Sequence, residues 1–265
     1  MMGSVKRKIR SRGKPMTAIV LAGGRGRRMK ADKARLAVGD RTLLEHVLSQ
    51  LEPNFAEILV SVSPGQKICF ASGRTVEDKT PGLGPLGGIL SGLKAAANEA
   101  SAVVACDIPD VHVPLLRSLA RAAGDADIAV PVGPAGHFEP LFAVYRKSVV
   151  PEIEALLRNG ERSIIPLFGR CRTVVVRLED ATWLRNLNTR EDYRSYIRTL
   201  TRTLTDRQTG RTEEGPRVSG RKKRTDPALS KKNRRSAAGP REESIEKESS
   251  DDFACEDKDE RQNKA

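Results

Sequence analysis

Residues 18–33 constrain this chain more than any other stretch. Ala18-Ile19-Val20-Leu21 is a short apolar run that reads as a buried strand. It leads directly into Ala22-Gly23-Gly24-Arg25-Gly26-Arg27-Arg28-Met29-Lys30-Ala31-Asp32-Lys33. The glycines let the backbone bend and come close to a ligand. Arg25, Arg27, Arg28 and Lys33 put cationic side chains on or just after the bend. Turned-in N–H groups and clustered positive charge together form an anion-binding concavity. Its natural guest is a polyphosphate; the bland alternative is a solvated Gly/Arg turn.

Residue identity excludes two common phosphate loops. A Walker A loop needs G-x-x-x-x-G-K-[ST], and no Gly-Lys-Ser/Thr occurs here. A dinucleotide fingerprint needs G-x-G-x-x-G/A, but Gly24-x-Gly26 is followed by Met29 at the third small position.

The flanking segments read as an α/β domain. Leu36-Ala37-Val38 and Gly39-Asp40 suggest a short strand and turn. Thr42, with Glu45 three residues on, predicts a capping box. Leu43, Leu44, Val47, Leu48 and Leu51 then form one apolar helical face, which Pro53 ends. Residues 56–62 give a second buried strand, so the chain opens with a right-handed βαβ unit of a parallel sheet. Further strands are expected at 74–78, 102–106, 128–131 and 174–176. Helices are expected up to Ala97 and over 115–123, 152–157 and 190–200, the last capped by Thr189. The expected fold class is α/β, a three-layer α/β/α Rossmann-like domain with a mostly parallel sheet.

Two more stretches carry chemistry. Pro81-Gly82-Leu83-Gly84-Pro85-Leu86-Gly87-Gly88-Ile89 follows a strand that ends on Asp78. Gly and Pro together fix an exposed backbone path and permit close approach to a flat ring, or simply build a rigid strand–helix connection. Asp107 follows the strand 102–106 at its carboxyl end, where open α/β sheets bind ligands. A carboxylate there, facing a cationic phosphate loop, is placed to hold Mg²⁺. Capping of the next helix is the other reading of Asp107.

These strings resemble the molybdenum cofactor guanylyltransferase family. The resemblance rests on L-A-G-G-x-x-x-R-M-x-x-D-K at 21–33, on Glu77-Asp78 with Gly84-Pro85-Leu86, and on Cys106-Asp107-Ile108-Pro109. His137-Phe138-Glu139-Pro140-Leu141-Phe142-Ala143-Val144-Tyr145, Gly160-Glu161-Arg162-Ser163 and Asn186-Leu187-Asn188-Thr189 extend it, so that it covers roughly 16–200 and implies a strand over 137–145 near the acceptor. Lys30 stands where the family has glycine, and Arg190 where it has proline. The resemblance implies a nucleotidyltransferase fold. It implies that Leu21, Ala22, Gly23 and Lys33 hold the nucleoside triphosphate, that Asp78 binds the nucleotide and that Asp107 is the metal ligand. Arg25 or Arg28 would support Lys33 at the departing pyrophosphate. Arg162 becomes a candidate for the acceptor phosphate, as does His137, for which a plain surface histidine stays open. Ser61 falls where some members carry asparagine, and no role is carried over.

The implied reaction transfers GMP from GTP to the terminal phosphate of molybdenum-molybdopterin, with Mg²⁺. Protein partners would be molybdoenzyme apoproteins or other cofactor-biosynthesis proteins. A sibling transferase using CTP or UTP, with molybdopterin or a sugar or polyol phosphate as acceptor, is the alternative. A non-catalytic nucleic-acid- or partner-binding protein on the same scaffold is another, against which the intact Lys33, Asp78 and Asp107 argue.

Charge alone would favour nucleic acid, since the 265 residues carry a net +13. Its distribution argues otherwise. Residues 1–14 hold six Lys/Arg and no acid, whereas 15–200 hold 24 against 20. The excess lies mainly in an arm, so nucleic acid is not an expected partner. Residues 217–241 hold ten Lys/Arg and one acid, and 242–265 hold ten Asp/Glu and four Lys/Arg. Such charge blocks offer too little apolar surface to offset ordering entropy. The expected organisation is a disordered basic arm at 1–15, a catalytic domain at 16–200 and a disordered charged tail at 201–265. Cys69, Cys106, Cys171 and Cys255 form no C-x-x-C pair, so neither a zinc site nor a disulfide framework is expected. Free thiols, no apolar signal core and no run near the roughly 18 residues of a membrane span point to the cytoplasm.

Overall fold

A computed structural model describes residues 15–23, 32–78 and 82–209, all within the first of two units, Met1–Glu213. Arg25, Arg27 and Arg28, the arm at 1–14 and the tail beyond 209 lie outside the described residues.

β1 (Met16–Leu21) sits inside the sheet because it is apolar towards both faces, as an interior parallel strand must be. After it come a small hairpin, β2 (Ala37–Val38) with β3 (Arg41–Thr42), and then α1 (Leu43–Leu51). The expected capping box opens α1: Thr42 Oγ1 accepts from Glu45 N, and Thr42 N donates to Glu45 Oε2. β4 (Glu57–Val62) returns parallel to β1, with β5 (Arg74–Glu77) outside it. α2 (Gly84–Ala95) crosses to the other side of β1, where β6 (Ala100–Ala105) pairs in parallel, Leu21 opposite Ala105. α3 (Val113–Ala123) precedes β7 (Ile128–Val132); β8 (Phe142–Arg146) inserts antiparallel between β6 and β7. α4 (Val150–Arg158), α5 (Ile165–Arg170), the edge strand β9 (Thr173–Arg177) and α6 (Arg190–Thr209) complete the domain. The spatial order is β5-β4-β1-β6-β8-β7-β9, with every strand but β8 running one way.

Strand alternation builds the three expected layers. Ala18 and Val20 pack with Leu44, Leu48, Leu116 and Leu119 of α1 and α3. Ile19 and Leu21 pack on the opposite face with Leu86, Ile89 and Leu93 of α2, Ile153 of α4 and Leu167 of α5. A third cluster docks α6 through Tyr196, Tyr193 and Ile197 onto Val38, Leu43 and Leu187. No helix among the described residues is long and apolar enough to cross a membrane.

The glycines of α2 have a packing reason. A Cβ on Gly88 would lie 2.8 Å from Ser61 Oγ, and one on Gly92 would lie 2.7 Å from Ile19 Cγ2. Their bare faces let α2 press directly on β1 and β4, beneath the end of the sheet that carries the site. Gly92→Ala gains helix propensity but drives a methyl into the fully buried Ile19. We expect a net loss of about 1–2 kcal/mol from overpacking, read as a Tm fall of about 2–4 °C per kcal/mol. An unchanged Tm would mean that α2 does not lie this close.

Three elements differ from expectation. The strand expected at 137–145 begins only at Phe142, because Pro140 has no N–H to give a ladder and Phe142 N turns back to Glu139 O. α5 had no periodic signal in six residues; it starts on Ile165-Pro166, with Ser163 Oγ accepting from Ile165 N. α6 outlasts its apolar face at Leu200 and runs to Thr209. No Gly or Pro interrupts 190–209, and Thr199, Thr201 and Thr203 each bond the carbonyl four residues back.

Candidate active site

The chain leaves β1 for β4 on one side, while β6 lies on the other, so the strand order reverses between β1 and β6. The carboxyl ends of these two strands therefore flank a crevice at the topological switch point, the usual ligand position in such sheets. Pairing continues one residue past β6, with Cys106 N donating to Leu21 O at 3.0 Å. Asp107 thus emerges beside the point where the Gly/Arg stretch departs.

Lys33 comes back to the same point. Asp32 caps a single 3-10 turn, Lys33–Arg35, by accepting Ala34 N on Oδ1. Lys33 Nζ then reaches Asp107 Oδ2 at 2.9 Å and Asn188 Oδ1 at 3.0 Å. The side chains of Lys33 and Asp107 are only 18% and 20% exposed, so this is a shielded pair and not a solvated surface contact. Asn188 is delivered by the connection from β9 to α6. There the single tryptophan, Trp183, packs against His112 and Phe142, and Leu184 and Leu187 are buried. Leu187 N donates to Asp107 O at 2.9 Å, and Asp192 accepts from Asn188 N and Thr189 N.

The segment after Asp107 is held on several sides. Gln50 of α1 donates to Pro109 O and accepts from Val111 N, and Tyr196 of α6 donates to Asp110. The cap of α3 is His112, which accepts from Leu115 N, so Asp107 does not cap that helix. Burial, and then the neighbouring Asp107 charge, push the Cys106 thiol up to about 12, which keeps it protonated and unreactive.

Leu21, Ala22 and Gly23 stand at this rim, but their backbone is partly occupied. The N–H groups of Ala22 and Gly23 both donate to Ser61 O, and Leu21 O accepts Cys106 N. Gly23 is glycine for a packing reason too, since a Cβ there would lie 3.1 Å from Ser63 N. The rim also carries Asp78, whose N–H donates to Val62 O. Half-burial raises its carboxyl above the usual range, against hydrogen bonds from Ser91 and Ser61 that lower it. Asp78 follows β5 and Asp107 follows β6, three strand intervals apart, about 14 Å at about 4.8 Å each. An elongated anionic ligand laid across the rim would span the two.

The structure thus brings together Lys33 and Asp107, with Ser61 beside Asp78. Arg25 and Arg28 lie outside the described residues. His137 is exposed, and Arg162 donates to the carbonyls of Leu157 and Glu161 in its own turn; neither is bonded to the Lys33–Asp107 pair. Asn188 was visible in the sequence only as part of a string, without a role. Gln50 gave no signal, because its partners lie about sixty residues away on another element.

The donor chemistry suits a hard divalent cation. Asp107 offers carboxylate oxygens and Asn188 an amide oxygen, the ligand types of Mg²⁺ rather than of soft metals. No group of three or more His, Cys, Asp or Glu able to hold a metal occurs among the described residues. Mg²⁺ needs only one or two carboxylates when substrate phosphates complete its shell.

Residues 18–174 match the family described as the MobA-like NTP transferase domain. The chain belongs to that family. It is 32% identical over 190 residues to a probable molybdenum cofactor guanylyltransferase of Carboxydothermus hydrogenoformans, covering 69% of this chain and 95% of that one. It is 34% identical over 178 residues to the molybdenum cofactor guanylyltransferase of Vibrio campbellii, covering 66% and 91%. Among solved structures, molybdopterin-guanine dinucleotide biosynthesis protein A from Archaeoglobus fulgidus superposes with a TM-score of 0.60 at 24% identity, over 71% of this chain and all of that one. The 2-C-methyl-D-erythritol 4-phosphate cytidylyltransferase of Thermus thermophilus gives 0.55 at 21%, over 71% and 99%. Both structural likenesses speak for the fold. This MobA-like transferase is a nucleotidyltransferase, as the family membership and the names of its relatives agree.

Proposed function

We propose that the protein transfers GMP from GTP to the terminal phosphate of molybdenum-molybdopterin, giving molybdopterin guanine dinucleotide and pyrophosphate. The observation that carries this reading is the shielded Lys33–Asp107 pair at the switch point, 2.9 Å apart. The relatives named for the same activity, matched over nine-tenths or more of their length, support the choice of donor and acceptor.

An oxygen of the acceptor phosphate attacks the α-phosphorus of GTP. The bond from that phosphorus to the oxygen leading to the β-phosphorus breaks, and pyrophosphate leaves with the electron pair. The attacking oxygen is already anionic, so no strong general base is required. The protein's work is alignment and neutralisation of charge. Asp107, with the Asn188 amide oxygen beside it, would hold Mg²⁺, which supplies Lewis-acid neutralisation of phosphate charge when bound. Lys33 neutralises Asp107 in the ligand-free protein. Once phosphate enters, Lys33 would turn from Asp107 to the leaving pyrophosphate. Arg25 and Arg28 are assigned a supporting part from the sequence resemblance alone. Asp78 would bind the nucleoside end, where its half-buried carboxylate gains by accepting N–H donors. A cytoplasmic setting is supported by Cys69, Cys106 and Cys171 all being free thiols.

Thermal stabilisation by each of the four nucleoside triphosphates with Mg²⁺ tests the donor. A ligand at about 100 times its Kd raises stability by about 2.7 kcal/mol. GTP is expected to raise Tm most. A larger shift with CTP or UTP would assign the protein to the sibling activity.

A further inference from the structure

We infer that Gln66 is a positioning residue that sets where Lys33 stands, by tying together the two chain ends that flank residues 24–31. The inference rests on the reading of Lys33 as the group that meets phosphate.

The anchor is rigid. Ser63-Pro64-Gly65-Gln66 follows β4 as a tight turn, with Gln66 N donating to Ser63 O at 3.0 Å and Gly65 at φ 70°. Pro second and a left-handed Gly third is the residue order of a type II turn. Glu77 of β5 holds the turn from outside by accepting Gly65 N.

From this base the Gln66 side chain makes three bonds. Its Oε1 accepts Ser63 N at 3.0 Å. That bond fixes which way the amide faces, so Nε2 must point the other way. Nε2 donates to Ala22 O at 3.3 Å and to Asp32 Oδ2 at 3.1 Å. Ala22 is the end of β1, and Asp32 is the cap of the turn that carries Lys33. One amide therefore fixes the departure and the return of the Gly/Arg stretch relative to each other. Asp32 divides its oxygens: Oδ1 caps Ala34 N, and Oδ2 faces Gln66 and, more loosely, Arg35 Nε at 3.6 Å. Without the Gln66 bond, nothing but the weak Arg35 contact orients that second oxygen among the described residues. Misplacement of a catalytic cation by about 1 Å costs up to about 100-fold in rate.

A charge-swapped pair tests this in the full-length protein. Gln66→Glu keeps an oxygen for Ser63 N but sets a carboxylate against both Asp32 and the Ala22 carbonyl. Asp32→Asn added to it restores the bond to position 32 with reversed polarity, while the bond to Ala22 O stays lost in both variants, because a carboxylate has no N–H to give. The amide now at position 32 donates through its nitrogen to the carboxylate now at position 66, and its oxygen still caps Ala34. Two readouts are taken. The first is amide hydrogen exchange in the ligand-free protein at Ala34, Arg35 and Leu36, compared with Val20 and Val60 in the core strands. The second is kcat/KM for the nucleoside triphosphate. Gln66→Glu is expected to speed exchange at 34–36 by about tenfold or more, the equivalent of about 1.4 kcal/mol, with Val20 and Val60 unchanged. It should also lower kcat/KM by about 10- to 100-fold. The double variant should recover most of the exchange protection at 34–36, which the bond to position 32 controls, and part of kcat/KM, the remaining deficit being that of the lost Ala22 bond. Unchanged exchange and kcat/KM in Gln66→Glu, a loss of protection spread to the core strands, or a double variant no better than the single would each overturn the inference. A wild-type protein that turns over no nucleoside triphosphate would overturn the functional reading instead, and the exchange comparison would still decide the role of Gln66.

Discussion

Asp107→Asn is expected to lower turnover by about 100- to 1,000-fold, the scale on which removal of one charge-stabilising group acts, while the protein still folds. Asparagine keeps the shape and one acceptor oxygen, so Lys33 Nζ retains a partner at the 2.9 Å position. The bond from Leu187 N to Asp107 O is a backbone bond and survives the change. Stability should move by about 1 kcal/mol or less, which is about 2–4 °C in Tm for a domain of this size. What disappears is the anionic oxygen that a hard cation needs. Raising Mg²⁺ should therefore recover part of the activity, because affinity is lost before geometry. Mg²⁺-dependent turnover near the wild-type rate in this variant would remove Asp107 from the site.

Lys33→Ala is expected to cost a similar 100- to 1,000-fold, through kcat more than KM. Charge builds on the leaving pyrophosphate only as the bond breaks, so a cation aimed there acts mostly in the transition state. Truncation also strips the ammonium from Asp107 and Asn188 together. A shielded carboxylate without its partner is destabilising, so Tm should fall further than in Asp107→Asn. Lys33→Arg is a poor rescue, because a planar guanidinium does not replace a compact ammonium between two oxygens. Retained activity in Lys33→Ala would move the role to the arginines of the Gly/Arg stretch.

Local signals made much of the fold legible. β1, β4 and β6 are apolar runs at the expected places, and the Thr42–Glu45 capping box is a purely local device. The antiparallel direction of β8, and its insertion between β6 and β7, depend on pairings that no local pattern encodes. Pro140 cut short the strand expected there, and six residues of α5 held too little period to be seen.

The candidate site was legible as two halves. The Gly/Arg stretch and Asp107 could each be named from the sequence. Lys33 and Asp107 lie 74 residues apart, and Asn188 joins from 155 residues away, so only the strand order brings these three side chains together. The glycines carry a packing part that the sequence did not show: Gly23 and Gly88 each make space for the end of β4. The N–H groups of Ala22 and Gly23 likewise serve the sheet through Ser61 O. Gln66 escaped notice because a Pro-Gly turn reads as a simple connection until the partners of its fourth residue are known.

Product analysis decides whether the protein makes molybdopterin guanine dinucleotide. The full-length protein is incubated with Mg²⁺, molybdenum-molybdopterin and each nucleoside triphosphate in turn, and the acceptor product is identified by mass. A GMP adduct formed with GTP, with one pyrophosphate released per adduct, is the predicted result. No adduct with any donor, or a CMP adduct formed in preference to the GMP adduct, would contradict it.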